Sequence, residues 1–216
     1  MKKIAYFDFC ETLVDKQTAD SFIKFIIYNE CKLVRKILFV FVKSYFYAAL
    51  AKTKLVPAQK IIIVRLLKGI KSERVEKYAQ NYAEDLINRH IIRAVFDELV
   101  DKKANGYKII VVSGGYECYI KYFYPDLVDK VIATKLECKN GVFTGCLDGN
   151  DCMGEQKILN ITKYLAFIEF IPDYSVAYSD HVSDLPLLKF ANDGFVVAKT
   201  YNKWIDENKF NYFYVG

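Results

Sequence analysis

Three short apolar runs, each stopping at a polar residue, constrain this chain more than any other feature. Ile4 to Phe7 runs into Asp8, Lys108 to Val112 into Ser113-Gly114-Gly115, and Val176 to Ser179 into Asp180. Short unalternating runs rich in β-branched residues read as strands buried on both faces. Val131 to Thr134 and Phe195 to Ala198 read the same way. Between the runs the apolar spacing turns helical. Val75, Tyr78, Tyr82 and Leu86 share one face, and Ile92, Val95, Phe96, Leu99 and Val100 share another that Asn105-Gly106 ends. Glu155 to Ala166 is a further helix candidate, and Asn140-Gly141 marks a hairpin over Leu136 to Cys146. Strands alternating with helices predict an α/β fold with a Rossmann-like parallel sheet. Such sheets bind ligands beyond the carboxyl ends of their strands, where Asp8, Ser113 and Asp180 fall.

Residues 17 to 88 read as mostly helical and are too long for a simple crossover between the first two strands. They are expected to form an inserted all-helical cap, with 1–16 and 89–216 as the core. The 216 residues are 53% hydrophobic, which excludes general disorder. No uncharged apolar run reaches the length of a membrane span. Met1-Lys2-Lys3 resembles the start of a signal peptide, but Asp8 and Glu11 interrupt the apolar stretch that should follow. A cytoplasmic location is therefore expected, with reduced thiols at Cys10, Cys31, Cys118, Cys138, Cys146 and Cys152, whose spacing fits no zinc pattern.

The residues at the strand ends ask for a phosphate and a hard cation. Asp8 and Asp180 can hold Mg²⁺ through oxygen, with water and phosphate completing its shell. Ser113 and the glycine N–H groups beside it can bind phosphate oxygens. Lys157, in Gly154-Glu155-Gln156-Lys157, supplies a point charge, and Asp184 stands four residues after Asp180. A carboxylate can attack phosphorus once metal and lysine offset the repulsion.

These four motifs, in this order over residues 4 to 200, resemble the haloacid dehalogenase superfamily, nearest to its phosphoserine-phosphatase-like branch with a helical cap. The resemblance implies a Mg²⁺-dependent phosphatase acting on a small phosphorylated substrate such as a sugar phosphate, another metabolite or a lipid phosphate. It implies Asp8 as nucleophile and metal ligand, a backbone carbonyl at Cys10 and the Asp180 carboxylate on the metal, and Thr12 supporting the loop. Ser113, Gly114 and Lys157 bind the phosphoryl group, Asp184 orients Lys157, and Ser183 reaches phosphate or substrate. Asp184 also stands where it can cap a helix beginning at Leu185-Pro186.

Two departures stand out. Cys10 occupies the place of an aspartate that protonates the leaving group in the family's phosphatases, and a thiol is a poor substitute. Glu11 and His181 are the alternative acids in the sequence. The departure also leaves open a phosphate-binding regulatory protein or a phosphotransferase on the same fold. Gln17 stands where phosphoserine phosphatases carry a substrate-binding glutamate, which argues against phosphoserine itself.

Charge is uneven as well. Residues 21 to 72 hold eleven Lys or Arg and a single acid, Glu30, although the whole chain is only +5. The same segment carries the apolar runs Ile37 to Val42 and Tyr45 to Ala51. Two readings follow: a helix buried against the core or a partner cap, or an interfacial helix on an anionic membrane. Nucleic acid is not expected, because the basic residues come with aliphatic stretches rather than a recognition motif.

Overall fold

The computed structural model describes residues 1–30, 33–50, 56–200 and 203–215. Cys31, Lys32, Ala51, Lys52 and Lys54 lie outside the described residues. The strands in chain order are β1 (Lys3–Phe7), β2 (Tyr107–Tyr116), β3 (Lys130–Thr134), β4 (Leu136–Lys139), β5 (Val142–Leu147), β6 (Tyr174–Ser179), β7 (Asp193–Ala198) and β8 (Asn211–Tyr214). Six of them form one parallel sheet in the order β3-β2-β1-β6-β7-β8, and β4 with β5 forms the expected hairpin. β2 and then β3 extend the sheet on one side of β1, and β6, β7 and β8 extend it on the other, so the order reverses at β1.

β1 is central and its side chains alternate. Ala5 and Phe7 enter a core on one face, and Ile4 and Tyr6 enter a second core on the other. That is why the run is apolar throughout rather than alternating. The second core is closed by α7 (Glu155–Phe167), α8 (Leu185–Phe190) and α9 (Lys203–Glu207). The first is covered by α5 (Arg93–Ala104), the short α6 (Glu117–Ile120), and helices α1 (Thr18–Glu30), α2 (Leu33–Leu50), α3 (Val56–Arg65) and α4 (Ser72–Arg89). Phe22, Ile23, Ile63 and Val75 from this helical block share one continuous cluster with Phe7 and Val111 of the sheet. Each such fully buried side chain contributes about 1.5–3 kcal/mol of transfer free energy.

The hairpin holds the helical block in place. Gly69 N donates to Phe143 O at 2.8 Å, Phe143 N to Ile70 O at 2.9 Å, and Ser72 N to Gly141 O at 2.9 Å, so β5 clasps the link between α3 and α4. Asn140 and Gly141 both adopt positive φ, as the tight turn requires. Gly145, at φ +82°, lies where a Cβ would sit 3.0 Å from Arg65 Cα.

Two features of the sheet are not marked by the apolar runs of the sequence. Ser113-Gly114-Gly115 is not a turn: β2 continues through it to Tyr116, because an irregularity between Ser113 and Tyr116 restores pairing with β3. Four-residue β8 is not visible as a run, because Asn211–Tyr214 is too short to show a period.

Candidate active site

The loop after β1 is tied down by its own apolar residues. Phe9, Leu13 and Val14 are fully buried, Phe9 meets Phe123 edge-on at 5.1 Å, and Leu13 N and Val14 N donate back to Phe9 O. Asp8 and Thr12 are thereby fixed at the end of the central strand. Asp8 N donates to Tyr178 O at 2.9 Å, which extends the pairing of β1 with β6 and sets Asp8 beside Ser179 and Asp180. Thr12 Oγ1 donates to Asp180 Oδ1 at 2.9 Å and accepts from Asp180 N at 3.1 Å.

Lys157 enters from the first turn of α7. It shares the buried face of that helix with Ile161 and Leu165, at steps of four, so it points inward where a surface lysine would point out. Its Nζ donates to Asp8 Oδ1 and to Asp184 Oδ2, both at 2.6 Å, and only 2% of the residue is exposed. Ser179 Oγ donates to the same Asp184 oxygen at 2.7 Å. Asp184 occupies the position before α8, but its side chain makes no capping bond; Lys157 and Ser179 hold it instead. The capping role read from Leu185-Pro186 is therefore not the one its carboxylate plays.

The electrostatics follow from burial. Desolvation pushes the Asp8 carboxyl up to about 7, Lys157 pulls it down, and Asp184 and Asp180 push it up again. Asp180 is raised to about 6, chiefly by burial, although the Thr12 hydrogen bond opposes the shift. Burial works against the Lys157 ammonium, but Asp8 and Asp184 outweigh it and hold its pKa above the usual lysine value.

Ser113 is fully buried, and its Oγ accepts from Gly115 N at 3.0 Å. A Cβ at Gly115 would meet the Tyr119 hydroxyl, Ile120 Cδ1 at 3.0 Å and Thr18 Oγ1 at 3.2 Å, so the backbone passes where only glycine fits. Cys10 Sγ lies 2.9 Å from Thr18 Oγ1 and 4.0 Å from Ser113 Oγ. Burial and then the Asp8 charge push the Cys10 thiol up to about 11, so it stays protonated at neutral pH.

The other candidate acids lie toward solvent. Glu11 is exposed at φ +57° and accepts from Gln17 Nε2 at 2.6 Å. His181 is exposed, and its Nδ1 is bonded within its own turn to Ser183, whose hydroxyl lies 3.0 Å away. The structure thus brings Asp8, Cys10, Thr12, Ser113, Lys157, Asp180 and Asp184 together, and leaves Ser183 engaged with His181.

Sequence reasoning missed two contributors. Thr18, next to Gln17, is the buried residue on this side, bridging Cys10 to Tyr119 OH at 2.5 Å. Lys60, from α3, donates to Gly114 O, to Thr134 Oγ1 at 3.3 Å and to Asp151, while its ammonium lies 5.3 Å from the Tyr116 ring centre. No local pattern marks Lys60; its partners are 54 to 91 positions away.

Among the described residues, no three His, Cys, Asp or Glu side chains converge as a metal cage. Mg²⁺ does not need one, because one or two carboxylates with waters and phosphate oxygens suffice. Asp184 Oδ1 is buried without a hydrogen-bond partner, and Asp8 and Asp180 both carry raised pKa values beside it. This surplus of negative oxygen fits a hard divalent ion.

A sequence model of the haloacid dehalogenase-like hydrolases matches residues 5–189. The chain belongs to that family. Phosphoserine phosphatase of Methanocaldococcus jannaschii is 28% identical over 193 residues, covering 88% of this chain and 82% of that protein. A Bordetella pertussis protein of unknown function superposes with a TM-score of 0.87 at 17% identity, each chain covered in full. The phospho-aspartyl intermediate analogue of a phosphoserine phosphatase gives a TM-score of 0.66 at 23% identity, covering 100% of this chain and 94% of the other. The two structures share the fold of this haloacid dehalogenase-like hydrolase.

Proposed function

We propose that this hydrolase is a phosphomonoesterase that works through a phosphorylated Asp8, with Mg²⁺ as its cofactor. The observation that carries the reading is the buried Lys157 ammonium, 2.6 Å from both Asp8 and Asp184. An ammonium in that place offsets the repulsion between a carboxylate nucleophile and an incoming dianion. The phosphoserine phosphatase relative supports the same chemistry.

In this reading an Asp8 oxygen attacks phosphorus, and the bond from phosphorus to the leaving oxygen breaks. The leaving oxygen takes up a proton. Water then attacks the phosphorus of the acyl phosphate, releasing inorganic phosphate and restoring the Asp8 carboxylate. Ser113, Gly114 and Lys157 bind the phosphoryl oxygens, Asp184 holds Lys157 in place, and Thr12 holds Asp180. Asp8, the Cys10 carbonyl and Asp180 would hold Mg²⁺, which when bound neutralises charge on the phosphoryl group. Cys10 is a weak source for the leaving-group proton, so substrates whose leaving group departs unaided are favoured. A small phosphorylated metabolite other than phosphoserine fits Gln17.

The test is hydrolysis of p-nitrophenyl phosphate with Mg²⁺ and with EDTA, by wild type and by Asp8→Asn. The expected result is Mg²⁺-dependent turnover that the variant loses by more than about a hundredfold. Equal rates would remove Asp8 as nucleophile.

A further inference from the structure

Helix α2 buries Phe39 in the first core but also turns apolar side chains outward. In a surface helix the apolar stripe faces the core and the charges face water. Here Leu33, Val34, Ile37, Leu38, Val40 and Phe41 are between 46% and 72% exposed. At 100° per residue these six positions fall within an arc of roughly 160°. The basic residues of α2 lie outside this arc: Arg35 donates to Leu66 O at 3.1 Å and Lys68 O at 3.0 Å, and Lys43 pairs with Asp20 of α1 at 2.5 Å. The cations of the helix thus anchor it to its neighbours, and the face turned outward is hydrocarbon. So broad an apolar face calls for a partner.

The charge around it says which. Lys24 and Lys36 both lie 5.5 Å from the Tyr28 ring centre, at one edge of the apolar arc. Exposed Arg65 and Lys68 stand where Arg35 reaches across, at the other. The segment from 21 to 72 holds eleven basic residues and one acid. A second copy of the chain docked on this face would bring two such segments together against mutual repulsion. An anionic surface meets the apolar face and its basic surroundings at once. Among the described residues no helix is long and apolar enough to cross a bilayer.

We infer that α2 is a membrane-docking element that lies in the headgroup region of an anionic bilayer with its Leu33–Phe41 face inserted. The inference goes beyond the proposed chemistry and does not rest on it.

The test is flotation of the full chain with phosphatidylcholine vesicles, with and without phosphatidylglycerol, for wild type, Ile37→Glu/Phe41→Glu and Lys24→Glu/Lys36→Glu. Wild type is expected to float with the anionic vesicles, and less so as salt rises. Ile37→Glu/Phe41→Glu is expected to lose at least about tenfold in binding while hydrolysing a soluble aryl phosphate at the wild-type rate. Lys24→Glu/Lys36→Glu, which keeps the apolar face intact, is expected to lose the preference for anionic lipid. Asp8→Asn is expected to float as wild type does, which keeps this result separate from the catalytic one. Three results would overturn the inference: no flotation at low salt, flotation unchanged in the apolar-face variant, or a wild-type dimer that Ile37→Glu/Phe41→Glu dissociates without any vesicle binding.

Discussion

Lys157 shows how much one side chain carries here. Two carboxylates and an ammonium are buried together, and among the described residues the Lys157 ammonium hydrogen-bonds both Asp8 and Asp184. Removing one member of a buried ionic group leaves the rest uncompensated, at about 3–5 kcal/mol. Lys157→Ala is therefore expected to destabilise the EDTA-treated protein by that amount at pH 8 and to abolish hydrolysis, read by denaturant melts and phosphate release. Cys10 gives a prediction of the opposite kind. General acid help is worth roughly 10²–10⁴ in rate. Cys10→Asp is expected to speed hydrolysis of alkyl phosphates by at least about tenfold and to leave aryl phosphates little changed; equal effects on both would show that proton supply is not what Cys10 limits. Asp8, Ser113 and Asp180 were legible in the sequence because each ends an apolar run. Thr18 and Lys60 were not, since only the packing of α1 and α3 onto the sheet brings them near Cys10 and Gly114.

At the scale of elements, the site depends on β2 passing Ser113 and Gly115 without a turn. Gly115 lies against the Tyr119 hydroxyl and Ile120, both fully buried, so its neighbours cannot give way cheaply. Gly115→Ala is expected to cost about 1–3 kcal/mol of stability and to weaken phosphate binding, measured by melting and by product inhibition. Lys60 closes the same stretch from above by bonding Gly114 O and Asp151. Asp8 is only 6% exposed and Ser113 is wholly covered. The strands and the hairpin were readable from β-branched runs and from Asn140-Gly141. The path of β2 through its glycines was not, because Gly-Gly carries a turn signal and only pairing with β3 overrides it.

For the whole molecule, the cluster is expected to make stability depend on pH and, with the proposed Mg²⁺, on metal together. Without a cation, Asp8 is raised to about 7 and Asp180 to about 6 from an ordinary value of 3.8, in both cases chiefly by burial. A carboxyl whose folded pKa lies above its unfolded one binds more protons when folded. Between about pH 4 and pH 7 the native state therefore loses stability as pH rises, the reverse of a salt-bridged carboxylate. The proposed Mg²⁺ would act against this, because binding to Asp8 and Asp180 would need both groups ionised and would stabilise the native state. Melting of EDTA-treated protein is thus expected to fall from pH 5 to pH 8, and added Mg²⁺ is expected to raise it far more at pH 8 than at pH 5. Other titrating groups shift both curves alike, so the gap between them is the informative quantity. Asp180→Asn removes one of the two carboxylates and is expected to narrow that gap. A gap that stays the same across pH, or that Asp180→Asn leaves intact, would mean that the ion binds somewhere other than the carboxyl ends of β1 and β6.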